Sequence, residues 1–109
     1  MSDADSVAVR EATVPNTDGL HLRPVMRFVE LASTFTSTIS VRNVSRSAET
    51  VDGKSAMQMM LLEATQGCVL RIEARGTDAP EAVDKLASLV EAGFDLESHQ
   101  DPGQPDSQG

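Results

Sequence analysis

Tryptophan and tyrosine are missing from this chain, and phenylalanine occurs three times. Any core must therefore be filled by aliphatic side chains and methionine. A single cysteine, Cys68, excludes an intramolecular disulfide and fits a reducing compartment. Cys68 falls in an apolar strand pattern and reads as a buried structural thiol rather than a reactive one. Basic residues are scarce: nine Lys and Arg face seventeen Asp and Glu, a formal net charge of −8. That balance argues against nucleic acid or an anionic membrane surface as a partner. No apolar run is long enough to span a bilayer. Met1–Ser6 is polar and acidic and lacks the apolar core of a signal peptide, so a cytoplasmic location is expected. No Cys/His cluster has metal-ligand spacing and no Gly-rich nucleotide loop is present, so no metal or cofactor is expected.

What is present is one domain's worth of periodic sequence, 109 residues long. Residues 1–6 are expected to form a loose leader and 98–109, polar and rich in Pro and Gly, a disordered tail. Between them, residues 7–97 form the expected domain. Val7–Val14 is β-prone, and a helix is predicted from Leu22 to about Phe35. Thr38–Val44 and the weaker Ser47–Val51 follow as strands, separated by a short turn. Ser55 with Gln58 makes a capping-box pattern that opens a short helix from Ala56 to about Glu63. Cys68–Arg75 alternates cleanly, with Cys68, Leu70, Ile72 and Ala74 on one face. Asp78 with Glu81 reads as a second capping box, ahead of a helix from Ala79 to about Ala92 whose buried side carries Ala82, Val83, Leu86, Leu89 and Val90. Gly93 is placed to end it. This order predicts an α+β sandwich, an antiparallel sheet with helices on one face.

The stretch with chemistry in it is Gly19-Leu20-His21-Leu22-Arg23-Pro24. Asp18-Gly19 is a turn signal, and after Pro24 the apolar residues recur at helical spacing. His21 therefore sits at the mouth of a helix, where free backbone N–H groups and the positive dipole end favour an anion, above all phosphate. A neutral imidazole is a nucleophile, and the Arg23 guanidinium suits phosphate oxygens. A histidine that carries a phosphoryl group fits this spacing; so does a solvated N-cap histidine beside a surface arginine.

Gly-Leu-His-x-Arg-Pro resembles the active-site signature of the HPr family, the histidine-containing phosphocarriers of the bacterial sugar phosphotransferase system. The resemblance runs from about Val9 to Glu91. It implies an open-faced βαββαβα sandwich of four antiparallel strands covered by three helices. It also implies a phosphoryl acceptor at His21, stabilised by Arg23, that receives the group from enzyme I and passes it to sugar-specific acceptor proteins. Such a protein is a carrier modified in each cycle rather than a conventional enzyme, and a monomer is expected. Ser55, following Lys54, matches a serine that an ATP-dependent kinase, the HPr kinase/phosphorylase, modifies in regulatory members; as an N-cap it has a complete structural role as well. Leu22, Met26, Arg27, Ala56, Met57 and Met60 match the surface that docks enzyme I and the acceptors. Exposed methionine makes an adaptable contact surface, whereas Met59 and Leu62 are expected to point inward.

Four features depart from the family. Glu30, Ser33 and Gln58 stand where lysines are frequent, and the loop before His21 is about two residues longer. The lost lysines weaken electrostatic steering toward acidic partners. They leave open a regulatory protein acting through phosphorylation of Ser55 or His21 without sugar transport. A binding module whose His21 never reacts is a third alternative.

Overall fold

Alternation decides which face of each strand is buried. In Val69–Arg75 the residues Leu70, Ile72 and Ala74 are buried while Arg71 and Glu73 stay half-exposed, as a period-two pattern against a one-sided core requires. In the computed structural model, which describes residues 6–46 and 49–95, this strand (β4) is the second of four. The first is β1 (Val7–Thr13), followed by β2 (Thr38–Asn43) and β3 (Thr50–Asp52). The sheet order is β1-β4-β2-β3 with every neighbouring pair antiparallel. Three helices, α1 (Leu22–Ala32), α2 (Ala56–Met60) and α3 (Ala79–Glu91), complete the order βαββαβα. The expected leader falls almost wholly, and the tail with His99 wholly, outside the described residues.

The core contains no large aromatic other than phenylalanine. Phe28, Phe94, Ile39, Met59, Leu70, Ile72 and Leu86 are its largest fully buried side chains. Met59 and Leu62 point inward as expected, and Cys68 is buried beside them in the same cluster. Phe94 is an addition to the expected core; it sits in a short 3-10 turn, Gly93–Asp95, that follows α3.

Several element ends differ from the sequence expectation, each for a local reason. Helix α1 stops at Ala32 rather than Phe35: Thr34 and Phe35 donate to Leu31 and Ala32 in tightened i→i+3 turns, and the Thr34 hydroxyl takes the Leu31 carbonyl as well. Helix α2 stops at Met60 rather than Glu63, because Leu61, Leu62 and Glu63 close i→i+3 turns and Glu63 then adopts φ 50. Strand β3 is shorter than Ser47–Val51 and shifted toward Asp52, since its pairing is fixed by Val51 opposite Val41 and Thr50 opposite Arg42; Ser47 and Ala48 lie outside the described residues.

The two capping boxes part company. Ser55 Oγ accepts the Gln58 N–H at 3.2 Å, as expected. The Gln58 side chain, however, accepts from the Asp52 N–H at 2.9 Å instead of returning to Ser55. At α3 the expectation fails: Asp78 makes no side-chain cap. Its carboxylate turns away and accepts four hydrogen bonds, from the backbone N–H and hydroxyl of Thr36 and of Ser37. A tertiary site with four donors outbids a local cap with one.

Candidate functional site

The loop from Val14 to Leu20 carries the chain from the sheet to α1. Its tip is a tight turn in which the Gly19 N–H donates to the Asn16 carbonyl at 3.0 Å. Leu20 N–H then donates to the Ala64 carbonyl at 2.9 Å, tying the loop to the exit of α2. Gly19 has φ +71, and a Cβ there would lie 2.7 Å from the Ala64 oxygen; only glycine allows this approach. The clamp sets where His21 emerges.

His21 is the N-cap of α1, with extended φ −109 and ψ −169, and its ring is exposed. The first intrahelical bond runs from Val25 N–H to the His21 carbonyl at 3.0 Å. The Leu22 and Arg23 amides therefore have no intrahelical acceptor, while Pro24, at the third helical position, has no N–H to leave over. Pro24 and Val25 are buried and hold this first turn against the core.

A cavity of about 660 Å³ opens here. His21, Leu22, Arg23 and Met26 line it from the helix; Asn16, Thr17 and Asp18 line it from the loop. The structure thus brings the proposed acceptor, its arginine and two of the docking residues to one concave surface. Arg27 lies one turn on, exposed on the same helix. The other docking candidates lie on α2, outside the cavity: Ala56 half-buried, Met57 81% exposed and Met60 41% exposed. Ser55 caps that helix and takes no part in the cavity. Lys54 beside it sends its ammonium to the Phe35 carbonyl at 2.8 Å.

Two features lay beyond the sequence reading. Asn16 is buried and its Nδ2 donates to the Gly93 carbonyl at 3.1 Å, while its Oδ1 has no hydrogen-bond partner among the described residues. A buried, roomy polar position of this kind is where a donor or ordered water belongs; the only sequence sign was an Asn directly after Pro15 in a turn. Leu61 is 67% exposed and extends the apolar face formed by Met57 and Met60.

Cys68 lies beneath the loop clamp. Burial pushes its thiol up, but hydrogen bonds from the Thr65 hydroxyl and N–H and from the Asn43 side chain, together with the nearby positive charge of Arg46, bring it net below its ordinary value. The Thr65 contacts are long, 3.4 and 3.5 Å. Among the described residues no group of His, Cys, Asp or Glu is arranged to hold a metal, and no helix is long and apolar enough to cross a membrane.

The family model for the "PTS HPr component phosphorylation site" matches residues 8–92. The phosphocarrier protein NPr of Proteus mirabilis is 38% identical over 86 residues, covering 79% of this chain and 93% of that protein. A multiphosphoryl transfer protein of Haemophilus influenzae is 36% identical over 112 residues, 97% of this chain but 22% of that longer protein. Among solved structures, the phosphocarrier protein HPr of Bacillus anthracis superposes with a TM-score of 0.72 at 31% identity, over 79% of this chain and 99% of the other. The class is thereby set: a phosphocarrier of the phosphotransferase system, not a catalytic enzyme. Within that class the chain belongs to the HPr family.

Proposed function

We propose that this protein accepts a phosphoryl group on His21 from enzyme I and passes it to sugar-specific acceptor proteins. The observation that carries this reading is an exposed imidazole at the N-cap of α1, sharing one cavity with Arg23 and with two amides that have no intrahelical acceptor. In the loading step a lone pair on a ring nitrogen of His21 attacks phosphorus. The N–P bond of the donor phosphohistidine breaks, and its electron pair returns to the donor imidazole. Each ring keeps its remaining N–H, so no net proton moves. The Leu22 and Arg23 amides and the Arg23 guanidinium then face the phosphoryl oxygens, as fixed donors in place of water. Exposed Leu22, Met26, Met57 and Met60, with half-buried Ala56 and the Arg27 charge, form the docking face around this centre.

Regulation through Ser55 is a second reading, favoured by its place at the start of the helix that carries Met57 and Met60. A phosphate placed there by an HPr kinase/phosphorylase would accept the Gln58 N–H in the hydroxyl's stead and add charge beside the docking face.

Incubation with phosphoenolpyruvate and cognate enzyme I, followed by mass mapping under alkaline conditions, tests the main reading. An acid-labile adduct on His21, absent from His21→Ala, is the expected result. A folded wild-type chain that takes no phosphoryl group would overturn it.

A further inference from the structure

Asp18 lines the same cavity as His21 and Arg23. Its backbone is fixed. The turn it occupies is closed by Gly19 N–H to the Asn16 carbonyl, tethered by Asn16 to Gly93 and clamped by Leu20 to Ala64. These bonds fix the backbone that carries Asp18. It is exposed and, among the described residues, makes no ion pair. A carboxylate without an ion-pair partner therefore lines a cavity whose other features attract anions.

Resting on the phosphocarrier reading, we infer that Asp18 sets the transfer potential of the phosphoryl group at His21, by destabilising the phosphorylated form. The phosphoryl group on a histidine carries close to two negative charges near neutral pH, so Asp18 repels it while Arg23 attracts it. Repulsion acts on the loaded state and is relieved when the group leaves. Loading from enzyme I is then less favourable and onward transfer more so, by the same factor. Transfer itself is unchanged in kind: the N–P bond at His21 breaks, its electron pair stays on the His21 ring, and a new bond forms from phosphorus to the acceptor's nitrogen or sulfur. The coupling is between exposed charges in water. Its size is accordingly a factor of about two to five, and salt screens it.

The test is the equilibrium constant for phosphoryl exchange between phosphorylated enzyme I and this protein. It is measured for wild type, Asp18→Asn and Asp18→Glu at about 0.01 M and about 1 M salt. Asp18→Asn keeps the size and removes the charge, so it should shift the constant toward phosphorylated His21 about two- to fivefold at low salt. Asp18→Glu should stay near wild type, and the gap should close at high salt. A merely structural role for Asp18 would not depend on salt in this way. Equal constants for wild type and Asp18→Asn at low salt, or a difference that persists at high salt, would overturn the inference alone. A wild-type chain that takes no phosphoryl group from enzyme I overturns the phosphocarrier reading and this inference with it.

Discussion

At Gly19 one missing carbon positions the whole site. The backbone there has φ +71, and an added Cβ would meet the Ala64 oxygen at 2.7 Å and the Thr65 Cα at 2.9 Å, both backbone atoms that cannot rotate aside. Gly19→Ala should therefore cost roughly 1–4 kcal/mol, read as a lower urea midpoint with an unchanged slope. It should also slow phosphoryl loading, because the clamp that presents His21 is pushed away from α2. If Gly19→Ala matches wild type in both measurements, the clamp has no such role. Asn16 works from the other side of the loop through a bond to Gly93, 77 residues away. That distance explains what sequence could not show. His21, Arg23 and Pro24 are neighbours in the chain, so their joint meaning at a helix start was legible. The Asn16 tether exists only once the chain has closed on itself.

Among the elements, the start of α3 shows how a local pattern is overridden. Asp78 and Glu81 had the spacing of a capping box, yet the Asp78 carboxylate serves the loop between α1 and β2. The Ser37 hydroxyl, then the Thr36 N–H, hold its carboxyl down to about 2 from an ordinary 3.8, against a smaller desolvation effect. A carboxyl lowered on folding stabilises the native state wherever it is ionised in both states, above its unfolded value. That contribution is lost as pH falls from about 4 through 2. Wild type should lose thermal stability across this window. Asp78→Ala should melt lower at neutral pH and show a flatter decline in acid; an identical acid profile for the two proteins would rule out this contribution of Asp78. At α2 the reverse holds, since Ser55 does cap. Ser55→Ala should cost about 1 kcal/mol, measured by denaturant unfolding. Element type was legible throughout from period and turn residues. Ends were less so, because the last turns of α1 and α2 tighten to i→i+3 bonds and the carbonyls just beyond them, Phe35 and Leu62, are taken by the distant Lys54 and Asn43 side chains.

For the molecule as a whole, the formal charge of −8 meets a proposed docking face that carries Arg23 and Arg27. A partner approaching that face is drawn by two guanidinia and the exposed apolar side chains of Leu22, Met57 and Leu61, against a repulsive or neutral background set by the rest of the surface. Glu30 on α1 and Ser33, its C-cap, are exposed and can be changed without touching the core. Glu30→Lys combined with Ser33→Lys changes the net charge by three units at the C-terminal end of α1. If enzyme I presents an acidic surface, association of the double variant should be faster by about tenfold at low salt, and the advantage should vanish at high salt. Stopped-flow measurement of phosphoryl transfer at limiting concentrations reads this rate. A slower double variant would mean that the cognate partner carries positive charge opposite Glu30. The missing lysines would then be the complement of a different partner surface rather than a weakened version of the usual one.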